Sequence, residues 1–497
     1  VYTISDIRLA GELVGDAEQY FPLIQLRRGE PFARKSIVES SDRVSALLSD
    51  LGHAFANVNS IPEVDEDAKT VAVTFFVDPG KRVYVRRVNI RGNSRTRDEV
   101  VRREFRQMES AWFSGEKLKL SRERAQRTGY FDSVSVETPS VPGSGDEVDI
   151  NVAVTEKPSG SLLAGVGFSQ SDGLVLNASI NQSNFVGTGK KVSLAMQTSD
   201  ANERYEVSYT NPYYTIDGIS RGFTLLYRST DFAELDSADY STDDIIAGVN
   251  FGIPLNEFNR FNFGMAVHQI DFKTGAFPSQ EVRKFEETEG DDFLDFEVTL
   301  NWRHDSRDSA IFPNTGALQS LSTEATVPGS DLSYWKVSYD HRRYWQLTGD
   351  LVVSVNAEIG YGDSYGDTSK LPFFENFFSG GPGSVRGYAA RSIGPRDSFG
   401  DPLGGNAMYA GNLELLFPPP FMKDSTTVRL ATFFDFGTVV DTSETDLFEP
   451  DEVRYSVGIG ASWLSPVGAL TVSYALPLKT DSQDEKEEFQ FSFGQTF

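Results

Sequence analysis

Residues 455–463, Tyr-Ser-Val-Gly-Ile-Gly-Ala-Ser-Trp, alternate without a break: Tyr455, Val457, Ile459, Ala461 and Trp463 against Ser456, Gly458, Gly460 and Ser462. Successive side chains of a β-strand point to opposite faces, so this stretch has one apolar, aromatic face and one small or polar face. Such a strand suits a boundary between lipid and a wet lumen. The same period recurs far upstream. Leu162, Ala164, Val166 and Phe168 alternate with Leu163, Gly165, Gly167 and Ser169, and Leu174, Leu176, Ala178 and Ile180 with Val175, Asn177, Ser179 and Asn181. Tyr205, Val207 and Tyr209 face away from Glu206, Ser208 and Thr210. From Lys157-Pro158-Ser159-Gly160 onward the alternation is nearly continuous and helical periodicity vanishes. About 340 residues, at roughly 20 per strand and connection, hold some 16 strands.

A soluble antiparallel sandwich shows the same alternation. The chain end, EEFQFSFGQTF, argues for a barrel instead, with Phe489, Phe491, Phe493 and Phe497 along a closing segment that Gly494 interrupts. A terminal aromatic on an alternating strand resembles the C-terminal signal of outer-membrane barrel proteins. Composition agrees: mean hydropathy is -0.32, aromatics make up 12%, and the chain carries 37 Phe, 19 Tyr and 43 Gly. No apolar run approaches the roughly 18 to 20 residues of a transmembrane helix, which excludes a helical membrane protein and leaves a membrane barrel open.

The first 160 residues differ in kind. They hold 23 basic and 25 acidic residues, against 23 and 47 in the remainder, so the net charge of -26 sits almost wholly in the second part. Acidic stretches such as 234–244 and 481–488 read as solvated loops, and nucleic acid is excluded as a partner for want of clustered cations. Self-similarity with a period of about 80 residues marks two copies of one unit. IRLAG at 7–11 recurs as VNIRG at 88–92; helical stretches follow, ending in LGHAF at 51–55 and TGYFD at 128–132. Paired strands close each copy, NVNSI with TVAVTFFV and SVSVE with VDINVAV. Each copy reads β-α-α-β-β, a three-stranded sheet under two helices. Boundaries fall at 1–80, 81–157 and 158–497. No leader precedes Val1, and the chain reads as starting at a domain boundary.

These repeats resemble POTRA domains, and the whole chain resembles the BamA family of POTRA-plus-barrel outer-membrane assembly proteins. The resemblance rests on RREFRQMESAW at 102–112, SVPGSGDEVD at 140–149, TNPYYTIDG at 210–218, FPNTG at 312–316, PFFENFFSGGPGSVRGY at 372–388, GGNAM at 404–408 and FFDFGTV at 433–439, in the family's order. It implies two α+β periplasmic POTRA domains, the fourth and fifth of a five-domain series, followed by an all-β, sixteen-stranded antiparallel transmembrane barrel. The implied function is assembly and insertion of β-barrel proteins into the bacterial outer membrane. Implied partners are unfolded outer-membrane clients, outer-membrane lipid and accessory lipoproteins, including one built of TPR repeats. A POTRA-barrel exporter of the two-partner secretion type shares the layout and the VRGY motif. Between Tyr388 and Gly404 the chain is shorter than some relatives and lacks their cysteine pair.

Ordinary catalysis finds no support. The chain has no cysteine, and His53, His268, His304 and His341 lack metal-binding spacing, so neither an enzyme nor a metal or cofactor is expected. An outer-membrane hydrolase would need a Ser/His or Asp/His set that is not displayed. Three structural devices remain. By resemblance Val385, Arg386, Gly387 and Tyr388 form a loop folded into the lumen, where Arg386 meets Glu414 and Asp435. Alternation agrees: Leu413, Leu415 and Phe417 take the lipid parity and leave Glu414 inward, as Leu430, Phe434 and Phe436 leave Asp435. A guanidinium between two carboxylates is a lock; otherwise Arg386 is a solvated loop charge. The second device is a lateral gate between the first and last barrel strands, marked by Leu162, Gly165, Gly167, Phe491, Phe493, Gly494 and Phe497, where glycines weaken the ladder and an exposed edge recruits another strand. The bland reading is a closed barrel with incidental glycines. Third, Arg102 and Glu109, on the second repeat's helical segment, match family positions that contact the TPR lipoprotein; alternatively they lie on a solvated face.

Overall fold

The structure, a computed structural model, describes residues 2–170, 172–420, 427–465 and 468–494, with Ser169 described in its backbone only. It divides into two compact units: residues up to Ser159 together with Ser183–Gly189, and Gly160–Gln182 together with the chain from Lys190 onward.

The first unit holds two three-stranded sheets. In the first copy β1 (Thr3–Gly11) runs parallel to β3 (Thr70–Asp78), which pairs antiparallel with β2 (Asn57–Asp65). Helix α1 (Arg34–Asp50) buries Ile37, Val44 and Leu48, at helical spacing, against Val71, Val73, Phe75 and Val77. The expected first helix shrinks to two single turns, Ala17–Gln19 and Phe21–Leu23. Tyr20 anchors them, fully buried, with its hydroxyl donating to the carbonyl of Val14 and accepting from its N–H.

The second copy repeats the plan with β4 (Tyr84–Arg91), β5 (Phe131–Glu137) and β6 (Glu147–Glu156), ordered β4-β6-β5. Its first helix, α2 (Asp98–Arg102), has five residues; α3 (Gly115–Arg127) is capped by the Ser114 hydroxyl, which accepts the N–H of Lys117. At the end of β6 the Glu156 carboxylate gathers the N–H groups of Arg95 and Thr96 and the hydroxyl of Ser94. Burial pushes its pKa up, but the Thr96, Arg95 and Ser94 donors outweigh burial and hold the carboxyl below its ordinary range. The turn 183–189 belongs to this unit, its Asn184 amide donating to the Thr96 hydroxyl.

The second unit is a closed barrel of sixteen strands, neighbours antiparallel throughout. It opens with β7 (Gly160–Ser169), β8 (Gly173–Gln182) and β9 (Lys191–Thr198), and closes with the short strand Phe489–Phe493. The central ladders are long: Tyr240–Pro254 pairs with Asn259–Thr274 from Tyr240 opposite Thr274 to Pro254 opposite Arg260. Outward faces are apolar. Tyr205 stands opposite Tyr227, Val207 opposite Leu225 and Tyr209 opposite Phe223, all of the large side chains Tyr205, Val207, Phe223, Leu225 and Tyr227 being exposed. Exposed apolar cross-strand pairs of this kind are unfavourable in water and favourable in hydrocarbon, which is why alternation reads as a membrane wall. An aromatic cluster, Phe232, Tyr240, Phe272, Phe285 and Phe373, is packed between strand ends and the helix Gln280–Glu289.

Candidate functional site: the lumenal loop and the barrel seam

Asp435 and Glu414 sit on neighbouring strands, Val428–Val440 and Ala407–Phe417, on the parity opposite the exposed Leu413 and Phe434. The loop between Leu351–Ser364 and Ala407–Phe417 brings Arg386 to both. Its Nε donates to Asp435 Oδ2 at 2.7 Å and one terminal nitrogen to Asp435 Oδ1 at 2.8 Å, a fork-to-fork pair. The same nitrogen lies 2.8 Å from Glu414 Oε1, and the backbone N–H of Arg386 adds a third bond to Asp435 at 3.1 Å. Asp435 is wholly buried, and the guanidinium lies 3.4 Å from the centre of the Phe433 ring. Val385, Tyr388, Ile393 and Ala410 make a small apolar cluster beside it. Arg386 and Glu414 also line a lumenal cavity of about 430 Å³, whose wall includes Arg429, Asp340, Glu358 and Ser492 of the closing strand.

The loop grips the approach to the closing strand. Gly387 pairs with Glu487 and Tyr388 with Lys486 in a short antiparallel bridge, and the Ala389 N–H donates to Glu485 O at 2.9 Å. Tyr388 donates its hydroxyl toward the carbonyls of Tyr455 and Lys479. The Gln490 amide donates to Tyr388 O at 2.7 Å from inside the closing strand itself. Arg386 is thus linked to the last strand through Gly387 and Tyr388 of the loop.

At the seam, β7 meets the closing strand through two residue pairs among the described residues, Phe168 with Phe493 and Ser169 with Ser492. On its other side β7 pairs with β8 along its whole length, Gly160 opposite Gln182 to Ser169 opposite Gly173. Leu162, Leu163 and Val166 on β7 are exposed, and Phe168 stacks on Phe491 with ring centres 5.6 Å apart. Gly494 has φ +77°; a Cβ there would lie 2.8 Å from the Gly167 Cα, and one on Gly167 would lie 2.9 Å from the Phe493 carbonyl oxygen. The two backbones therefore approach closely where they meet, and only glycine permits it. Gly165 faces Asn177 across the β7–β8 ladder rather than the seam. Phe497 lies outside the described residues.

Arg102 ends α2, whereas Glu109 lies in the turn beyond it rather than on a helix. They pair with each other at 3.3 Å, and Glu109 also accepts the Val88 N–H at 2.8 Å. Both side chains are half exposed. Sequence reasoning missed three arrangements. His268 is buried between Asp244 and Glu297, each ring nitrogen on one carboxylate, and Arg228 donates to Asp244. Arg429 holds the FPNTG loop through the carbonyls of Phe312 and Pro313 and the Asn314 side chain. Gln170, just past β7, bonds the closing strand's backbone. Inward parity flags the first two residues; nothing in the local pattern flags Gln170. Among the described residues no group of three or more His, Cys, Asp or Glu is arranged to hold a metal ion.

A family model described as the Omp85 superfamily domain matches residues 184–497, and one for POTRA, described as a surface antigen variable number repeat, matches 2–80 and 83–157. The outer membrane protein assembly factor BamA of Neisseria meningitidis is 34% identical across 96% of this chain and 64% of its own length. The BamA of Nitratidesulfovibrio vulgaris is 30% identical across 100% of this chain and 62% of its own length. The chain thus spans less than two thirds of both relatives. The crystal structure of BamA from Haemophilus ducreyi lacking POTRA domains 1–3 superposes with a TM-score of 0.84 at 32% identity, covering 100% of each chain.

Proposed function

The chain belongs to the Omp85 superfamily, and on that premise we propose that it assembles and inserts β-barrel proteins into the bacterial outer membrane through a lateral gate between β7 and the closing strand. The observation that carries this reading is the seam. Among the described residues the other ladders of the barrel run over five to fifteen residue pairs, while the join that closes it holds through two. A short join parts at little cost, and the parted edges offer N–H and C=O groups that another strand can pair with. Client strands added there would satisfy their backbone groups within lipid, which drives insertion without a nucleotide. Two of the relatives are named as assembly factors, which supports the same class of activity and a non-enzymatic role.

On this reading the barrel sits in the outer membrane with its POTRA domains, the fourth and fifth of a longer series, in the periplasm. The Arg386–Asp435–Glu414 lock fixes the lumenal loop, and through Gly387, Tyr388 and Gln490 the loop positions the closing strand. Arg102 and Glu109 offer a half-exposed ion pair to a TPR-repeat lipoprotein, whose charged groups would exchange with it. The protein reconstituted in liposomes, given an unfolded barrel client and a soluble protein together, tests the reading against the exporter alternative. Folding of the client to its compact, heat-modifiable form, with the soluble protein left where it was added, is expected. Passage of the soluble protein without client folding contradicts it.

A further inference from the structure

The seam register, continued one step beyond Ser169 opposite Ser492, sets Gln170 opposite Phe491. The ladder stops there, yet the backbone groups it would have served are not left bare. Gln170 Oε1 accepts the N–H of Phe491 at 2.8 Å, and its Nε2 donates to the carbonyl of Phe489 at 3.3 Å and to Glu487 Oε1 at 2.6 Å. Alternate residues of a strand direct their N–H and C=O to the same side, so Phe489, Phe491 and Phe493 form the edge facing β7. One side-chain amide carries the donor and acceptor set of a peptide group. Gln170 therefore stands in for the missing residue of a neighbouring strand.

We propose that Gln170 is a positioning residue for client entry: its amide latches the seam by occupying the peptide-binding position of the closing strand's edge, and an incoming extended segment takes that position by replacing amide with peptide. The proposal rests on the gate reading and adds what the edge recognises, which is backbone rather than side chain. An edge left without partners in hydrocarbon costs several kcal/mol per group, whereas exchange of one amide for another keeps each backbone group of the edge paired while the released Gln170 amide turns to solvent. Opening then needs no dry, unpaired intermediate. The Glu487 bond links the latch to the loop, because Glu487 is the residue that pairs with Gly387.

The whole chain in liposomes carries the test. Cysteines at Ser169 and Ser492, register partners across the seam, report closure by their rate of disulfide formation. Gln170→Leu removes all three bonds; Gln170→Glu keeps the side chain's length but loses both donated bonds and sets a second carboxylate against Glu487. Loss of the two bonds to the closing strand's backbone alone predicts roughly tenfold slower disulfide formation for Gln170→Leu, and Gln170→Glu should be slower than the parent as well. With the cysteines absent, client folding at limiting client should rise in both variants. A parent rate of disulfide formation in both variants overturns the latch, and slower formation with unchanged client folding overturns its competition with clients. If Gln170→Leu does not give a heat-modifiable barrel, Gln170→Glu alone decides between the same outcomes. A parent protein that folds no client instead rejects the gate reading, while the disulfide rates still score the latch.

Discussion

The ladder between Tyr240–Pro254 and Asn259–Thr274 and the join between β7 and Phe489–Phe493 are built from the same alternating sequence, yet among the described residues one runs over fifteen residue pairs and the other over two. Hydrophobic periodicity is common to both; what differs is what stands opposite. In the first, fifteen residues meet a sixteen-residue partner, with apolar pairs such as Ala247 with Val267, Val249 with Met265 and Phe251 with Phe263 along it. In the second, a five-residue strand reaches β7 with Gly494 turning the chain at φ +77° directly after it. A barrel wall made of equal strands can therefore hold its strength unequally. Closure at the weak join depends on groups other than the ladder: the Gln170 amide and the lumenal loop.

The largest departure from parent behaviour is expected at Arg386. Arg386→Ala strands Asp435, buried completely, and Glu414, and removal of one partner from such a group costs about 3 kcal/mol or more. Loss should appear as a lower temperature of the heat-modifiability transition, with amide exchange accelerated in 485–493 far more than in 240–274. Equal acceleration in both regions would mean the loop supports the whole wall rather than the join. Arg386→Lys should recover part of the loss, since an ammonium cannot span both Asp435 oxygens as a fork.

A glycine pair separates the regions next. Gly494→Ala must adopt a left-handed backbone and press on Gly167, at a cost of about 1 to 2 kcal/mol. Gly248→Ala, in the middle of the long ladder, meets only ordinary contacts at 3.4 Å or beyond and should be close to neutral. Disulfide yield between cysteines at 169 and 492 should fall in the first variant and stay at the parent value in the second.

Two smaller effects belong to the first unit and should leave the seam untouched. Glu109→Lys breaks the pair with Arg102 and the bond from the Val88 N–H, costing about 1 kcal/mol locally. In the proposed contact with a TPR lipoprotein, capture should weaken and return with the opposite reversal on the partner, while barrel migration on gels is unchanged. Smallest is the response to acid at Glu156. Its folded pKa is depressed, so its contribution is complete above the ordinary carboxylate pKa and is lost as pH falls through the lowered value. Exchange of the Arg95 and Thr96 amides should speed up over that range, and Glu156→Gln should remove the pH dependence.

Much of this was legible in sequence because it is local and periodic. Period-2 alternation marked the barrel, the 80-residue repeat marked the two sheets, and inward parity at Glu414 and Asp435 set them on one wall as possible partners of Arg386. The two turns around Tyr20 replaced a helix because a buried ring with a bonded hydroxyl fixes that segment, which no helical period reveals. Glu109 fell in a turn although its neighbours read as helix. Ladder length was invisible, since alternation says which face a residue takes and not how many residues stand opposite it. Gln170 was invisible for a related reason: a side chain acting as backbone has no sequence signature, and its partners lie more than 300 positions away.

The decisive measurement is client insertion with the seam locked. Cysteines at Ser169 and Ser492 are introduced into a chain that has none of its own, oxidised to completion and challenged with an unfolded barrel client in liposomes. A disulfide between the register partners Ala247 and Val267 in the long ladder serves as control. Insertion should stop with the seam locked, resume on reduction, and proceed at the parent rate in the control. Full insertion through a quantitatively locked seam would show that clients enter elsewhere and that the short join is a structural detail of closure.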